Sequence, residues 1–525
     1  MMPSAEPAAD RLAVLDRATD SPLGTVPAQA PEGVATVVAE TAKVQPLWAA
    51  LRVSARARYL RRAAQAVIDE YDELVGALSR EQGRPAAEIA VTELLPAVEA
   101  LRQTARAGPR LLGPRTVAVQ RGMFPLKRAR LAHEPRGVVA VIAAHGGPFA
   151  QPLSQVAQAL LGGDAVVLKP APGARLAAER IARLLARAGL PEGLVRVVHG
   201  GPQVGAALVA APVSAVLFAG SREHGREVAA ACAGGGLPTV LELRAKNPAL
   251  VLADASVSRA VAGLAWAGFA AAGQARGSVE RVYVASELAE RFVSELVEVA
   301  RSLSVGDPAQ PGTQIGPLRS TERQRRVAAA VGAAADAGAT LHCGGPVERP
   351  DGPEALFAPA VLTGVGAGTD LTDAPVVGPV VAVTAVDTPA AAIELANAGG
   401  PSLAASVWTA DRYRGERVSR ELDCGAVWLN DHLITPAVPQ AGWGTPPGPS
   451  PSGALAAATR AQVRSLDPAG GLAPWWFPYD PELERAARAF IELASGRDAD
   501  RQRGLRYGVV PLARMARRAL AGRGR

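Results

Sequence analysis

Cysteine is nearly absent. Three occur in 525 residues, Cys232, Cys343 and Cys424, too few and too scattered for a disulfide framework or a metal knuckle. Each is expected to act as a small apolar residue, the usual state of a free cysteine. Long apolar runs are also missing: none approaches the roughly 18 to 20 residues that a membrane span needs. The opening MMPSAEPAADRLAVLD lacks the basic-then-apolar order of a secretory leader, so the cytoplasm is the expected compartment. Lysine is scarce beside arginine, and the net charge of +7 is spread along the chain except at its C-terminal end. That distribution speaks against a nucleic-acid partner. What remains is 49% hydrophobic and 20% charged, ordinary for a chain with two or more domains and a large core.

Taken in order, residues 1–33 are polar, contain proline and lack any period, which predicts a mobile arm. Helical stripes follow, with Leu47, Leu51, Leu60, Ala64 and Val67 at spacings near 3.6. The segment RTVAVQRGMFPLKRARLAHEPR at 115–136 reads as a basic β-hairpin. From Val138 the pattern changes to short Val/Ile/Leu runs, VVAVIAA, DAVVLKP, LVRVVHG, SAVLFAG and PTVLELR, separated by helical stretches. Continuous apolar runs of that length predict a parallel sheet covered on both faces. The fold class is therefore α/β, a doubly wound dinucleotide-binding domain, although Gly200, Gly201 and Gly205 do not make a GxGxxG fingerprint. A second α/β domain begins near Ala245, with ALVLAD, RVYVAS and FAPAVLTGV as strands. Beyond Asp467, Trp475, Trp476 and Phe477 are expected to pack on the protein. The arginine-rich last sixteen residues are expected to be a solvated tail, with a membrane-surface helix as the alternative.

The stretch LELRAKNP at Leu241–Pro248, followed by GQARGSVERVYV from Gly273, resembles the centre of the aldehyde dehydrogenase superfamily. VVLKP, FAGS, GPL, ASVWT and VWLND fall in the family's order, so the resemblance spans about residues 34 to 475. It implies 34–114 with 137–244 as the cofactor-type domain, 245–431 as the catalytic-type domain and 115–136 with 454–470 as a protruding oligomerisation hairpin and strand. The loop 432–453 is altered at the substrate entrance, and 471–525 form an aromatic segment and basic tail. In the family a thiolate attacks the aldehyde, hydride passes to a nicotinamide, and a glutamate-activated water releases the acid. The resemblance places Glu242 at the general-base position and Arg276 at the nucleophile's. Arginine stays protonated and offers five donors and no lone pair, so it cannot attack a carbonyl. Gly146 falls where the oxyanion asparagine belongs, with His145 beside it.

The cofactor contacts are likewise incomplete. The resemblance keeps Lys169, Gly220, Ser221 and Gly225 for the dinucleotide, but Pro172 and Pro375 replace both ribose-binding acids, and Val377 replaces a phenylalanine. NAD or NADP binding is thus expected to be weak, since each lost charge-assisted bond is worth roughly 1.5 to 3 kcal/mol. Two readings follow. One is a catalytically inactive family member acting as oligomer partner of itself or of a catalytic relative, as a scaffold, or as a binder of a small carboxylate. The other is an active oxidoreductase with Ser278 as nucleophile, Glu242 as base and His145 in attendance. Arg276 is predicted to point into the cleft and either to contact Glu242 or to leave a positively charged pocket suited to a small carboxylate, because burying a guanidinium unpaired is costly.

Overall fold

Why the chain changes sheets at Arg244 is the question that organises the architecture. A computed structural model describes residues 11–119, 127–349, 354–366, 368–398, 402–432, 453–466 and 479–521. The loop expected at the substrate entrance and the aromatic cluster at Trp475–Phe477 lie outside them. There are two compact units, one comprising the chain up to Leu112 with Glu134–Arg460, the other Gly113–His133 with Ala461–Arg525. Among the described residues no helix is long and apolar enough to cross a membrane.

The first unit begins with a correction. Residues expected to form a mobile arm include an antiparallel hairpin, β1 (Arg11–Leu15) and β2 (Pro22–Pro27). Val14 and Val26 are buried, and the hairpin is tied down by the Arg80–Asp16 pair at 2.8 Å and by Arg175 Nη1 donating to the Ala13 carbonyl at 2.8 Å. Helices Val34–Ala49, Val53–Asp69, Tyr71–Gln82 and Leu95–Leu112 follow as the stripes predicted. Trp48 fixes the first of them, its indole donating to the Leu160 carbonyl at 2.7 Å.

After β3 (Arg115–Val117) and β4 (Arg128–Pro135), five strands build the first large sheet: β5 (Val138–Ile142), β6 (Ala165–Lys169), β7 (Val195–Val197), β8 (Ala215–Gly220) and β9 (Thr239–Leu243). Their order is β7-β6-β5-β8-β9, all parallel. β5 and β6 are buried at every residue, as their unbroken apolar runs require. The order reverses between β5 and β8, and crevices outside the carboxyl ends of strands at such a reversal are where doubly wound sheets hold ligands.

Only Arg244, Ala245 and Lys246 separate β9 from β10 (Asn247–Val251), which starts a second sheet. It continues with β11 (Val279–Ala285), β12 (Thr340–Val347), β13 (Leu356–Thr363), β14 (Val380–Val386), β15 (Ala405–Trp408) and β16 (Val427–Leu429), in the order β12-β13-β14-β11-β10-β15-β16. The change of sheet falls near Ala245, and both sheets belong to the one compact unit. Phe269, Phe292, Phe357 and Trp408 fill the second core. The three-residue crossover puts the end of one sheet and the start of the other at a single point, and the side chains named from the sequence gather there.

In the second unit β3 and β4 pair antiparallel, and β17 (Thr459–Leu466) adds to β4 in a three-stranded sheet. Its C-terminal part is a helix pair, Pro481–Leu493 and Asp498–Ala521. The expected solvated tail is thus helical to Ala521, a second correction. The acids that stabilise it lie upstream of the tail: Asp498 and Asp500 in the helix's first turn favour its positive end, and Glu482 pairs with Arg514. The helices approach closely at Gly508, where an added Cβ would sit 2.5 Å from Ala489 Cβ. Gly508→Leu should force them apart at a cost of about 1–3 kcal/mol. Limited proteolysis would then cut within 481–521 sooner than in the parent, and identical cleavage rates would refute the close packing.

Candidate functional site

Glu242 lies on β9 with its side chain buried. Arg276 comes from the turn before β11, and its Nη1 stands 2.7 Å from Glu242 Oε2 and 3.2 Å from the Glu242 carbonyl oxygen. Gln151 Nε2 donates to the same Oε2 at 3.2 Å. Both charges are more than nine-tenths buried, so the cation and the anion compensate each other in place of water. Of the two arrangements predicted for Arg276, contact with Glu242 is the one present.

The turn carrying Arg276 is held in an uncommon shape. Ala271, Ala272 and Gly273 all have positive φ, at 55°, 50° and 67°. Only glycine fits the third position, where a Cβ would lie 2.0 Å from the Gly378 carbonyl oxygen. Asn247 clamps the turn from β10, its Nδ2 donating to the carbonyls of Arg276 at 2.9 Å and Ser278 at 3.0 Å. Lys246 pairs with Glu280 at 2.8 Å, and Glu280 also accepts from Val376 N at 2.9 Å, which anchors the segment beside Pro375.

Gly146 follows β5 and closes the opposite wall. An added Cβ there would meet the Gln274 carbonyl oxygen at 2.5 Å and Arg244 Nη2 at 3.3 Å. The Arg244 guanidinium itself donates to that carbonyl. Arg244 therefore occupies space that a longer side chain at 146 would need. Ser278, the candidate alternative nucleophile, is buried with its Oγ lacking any hydrogen-bond partner, and it does not line the groove described next. No base reaches it. His432 is engaged elsewhere, Nε2 to the Gly277 carbonyl oxygen at 2.7 Å.

A groove of about 840 Å³ runs along the carboxyl ends of β5, β6 and β8, as the reversal of strand order predicts. Lys169, Pro172, Gly220 and Ser221 line it. Ser221 caps helix Arg222–Ala233, its Oγ accepting from His224 N at 3.2 Å, so the first-turn amides of that helix can receive a phosphate. One expected contact is corrected. Gly225 faces the sheet, where a Cβ would strike Leu243 Cδ2 at 2.2 Å. Pro375 does not line the groove, whereas Val377 does, with φ 61°. The site fits a nicotinamide dinucleotide in part. Its phosphate-receiving half is present, but the end beside Arg276, where a hydride acceptor must reach the reacting carbon, is walled by Arg244, Arg276, Arg319 and Arg323.

Arg244 escaped the sequence reading although the signal was present: LELRAKNP carries a bulky cation where the family's LELGGKNP has glycine. Arg319, Arg323 and Arg326, spaced i, i+4, i+7 around the start of helix Thr321–Asp336, carry no family motif that would single them out in the sequence.

His145 feels these cations. Burial, followed by Arg319, Arg17, Arg84 and Arg244, lowers its pKa from 6.5 to about 3, so the imidazole is neutral at pH 7. A histidine depressed in the fold loses stability as pH falls below the unfolded value, because the unfolded chain takes up the proton first. Wild type should lose up to about 1.4 kcal/mol per pH unit relative to His145→Gln between about pH 6.5 and 3.5. Parallel urea melts across that range check this, and a pH-independent difference would refute it.

The comparisons with known proteins agree with the architecture. The model of the aldehyde dehydrogenase family matches residues 4–445. A betaine aldehyde dehydrogenase of Cereibacter sphaeroides is 34% identical over 424 residues, 81% of this chain and 86% of that one. A 4,4'-diapolycopene aldehyde oxidase of a Methylomonas species is 31% identical over 500 residues, 92% and 91% of the two chains. Among solved structures, the NAD+ complex of an aldehyde dehydrogenase from Bacillus cereus superposes with a TM-score of 0.81 at 28% identity, covering 87% of this chain and 93% of that one. With both sheets, their connections and most of its length accounted for, this chain belongs to the aldehyde dehydrogenase family.

Proposed function

We propose that this chain is a catalytically silent aldehyde dehydrogenase relative that serves as a ligand binder and oligomer partner. The observation that carries this reading is the 2.7 Å contact between Arg276 Nη1 and Glu242 Oε2. At the position that the family resemblance gives to the thiolate stands a group with no lone pair. At the base position stands a carboxylate oxygen already engaged by a guanidinium and an amide, which leaves it ill-placed to activate water. Gly146, at the position that the resemblance gives to the oxyanion asparagine, supplies no side-chain donor. The positive groove suits a small carboxylate or another anion, and any NAD or NADP binding is weak. In the sheet of β17, β4 and β3 the outer strands β17 and β3 are edges, β17 also exposing Val463 and Leu466, and we assign to them the contact with a second copy or with a catalytic relative.

The test is a panel of aliphatic and aromatic aldehydes with NAD and with NADP. No aldehyde-dependent reduction is expected. Turnover within tenfold of about 10 per second, the usual enzyme median, would sink the reading.

A further inference from the structure

The groove contains more positive charge than its surroundings neutralise. Its lining has six cationic side chains, Lys169, Arg244, Arg276, Arg319, Arg323 and Arg326, against two acids, Glu223 and Glu227. Two of the cations are committed, Arg276 to Glu242 and Arg326 to Glu322. Among the described residues Arg244, Arg319 and Arg323 have no carboxylate within 4 Å. Arg244 gives one bond to the Gln274 carbonyl. Arg323 gives one to the Val376 carbonyl at 3.4 Å, and its buried Nε has no partner at all. The crowding is felt by Arg244, whose pKa falls to about 10 through burial and through Arg323, Arg276 and Arg319, with Glu280 opposing. Guanidiniums gathered with unused donors match phosphate oxygens, which they bind through paired N–H groups.

The rest of the lining is largely apolar apart from Glu223, His224 and Glu227 on helix Arg222–Ala233. Helix Pro202–Ala210 supplies Ala206 and Val209, and helix Arg222–Ala233 supplies Val228 and Ala231. Between two such walls a flat base can lie, and the capped start of helix Arg222–Ala233 takes the first phosphate. An oxidised nicotinamide ring is itself cationic, so bringing it against Arg244, Arg319 and Arg323 sets like charges together at the one place where hydride transfer would need it.

We propose that this groove binds a nucleoside polyphosphate, its base between the two helices and its terminal phosphates on Arg244, Arg319 and Arg323, in preference to a nicotinamide dinucleotide. The inference rests on the catalytic silence argued above and names the ligand class of that same cleft.

Calorimetry on the full chain with adenosine triphosphate, NAD and inorganic triphosphate tests it. Adenosine triphosphate is expected to bind at least roughly tenfold more tightly than either of the others, the increment of one or more charge-assisted contacts. Arg319→Gln with Arg323→Gln should weaken adenosine triphosphate by roughly tenfold or more and leave NAD unchanged or bound more tightly, since two cations leave the nicotinamide end. The Arg319→Lys, Arg323→Lys pair, which keeps the charges but not the paired N–H groups, should recover only part of that loss. Arg319 is exposed, so Arg319→Gln alone keeps the test open should the double variant fold poorly, and it is expected to show a smaller loss in the same direction. NAD binding as tightly as adenosine triphosphate, inorganic triphosphate matching the nucleotide, or variants that weaken both nucleotides equally would each overturn the proposal. Aldehyde-dependent NAD reduction would instead remove the reading beneath it, whereas a silent protein that prefers NAD removes this inference alone.

Discussion

Arg276→Ala is expected to destabilise the protein by about 3–5 kcal/mol, because it leaves the Glu242 carboxylate buried with Gln151 as its remaining partner. Replacing both members by apolar residues of similar size, Arg276→Met with Glu242→Leu, should instead fall within about 1–2 kcal/mol of the parent, since that double change removes the desolvation penalty along with the attraction. The two single variants and the double form a cycle whose coupling energy isolates the pair. Urea unfolding followed by far-UV dichroism reads it. A cost below about 1 kcal/mol for Arg276→Ala would mean that water reaches Glu242, and the account of the cleft would fail.

Arg276→Cys is expected to restore little or no aldehyde oxidation, even though it supplies the missing thiol. It withdraws the cation from Glu242 and leaves two further obstacles: Gly146 donates nothing to an oxyanion, and Arg244 still occupies the wall beside it. One absent oxyanion donor alone costs roughly a hundredfold to a thousandfold in rate. The triple variant Arg276→Cys, Arg244→Gly, Gly146→Asn should exceed Arg276→Cys by at least about a hundredfold. The Arg244 change is needed because a Cβ at 146 meets the Gln274 carbonyl oxygen at 2.5 Å, the same oxygen that Arg244 holds in place. Wild-type-family turnover from Arg276→Cys by itself would show that neither Gly146 nor Arg244 matters.

Both sheets and the placing of Glu242 and Arg276 in one cleft were legible in the sequence, for separate reasons. Parallel strands buried on both faces spell themselves as unbroken runs such as VVAVI and AVVLK, and the family motifs located the cleft by spacing. The N-terminal hairpin was not legible: its strands are five and six residues long, bury one valine each, and include Pro22 and Pro27. The C-terminal helix was hidden because its stabilising acids lie outside the arginine-rich segment. Arg244 was visible as a residue but not as a wall, since its role depends on a carbonyl thirty residues away. Gly225 read as a phosphate contact because sequence cannot tell which face of a helix start meets the sheet.

The left-handed run at Ala271, Ala272 and Gly273 has a meaning beyond geometry. Each alanine there carries a penalty of roughly 1–2 kcal/mol, and that penalty is the same whether a thiol, an arginine or a methyl group stands at 276. The backbone contour is held by glycine packing on Gly378 and by the Asn247 clamp, so it is indifferent to the reaction it displays. A chemistry that rests on one side chain can be lost in a single mutational step, while a strained contour spread over many contacts outlives it and stays open to a new use.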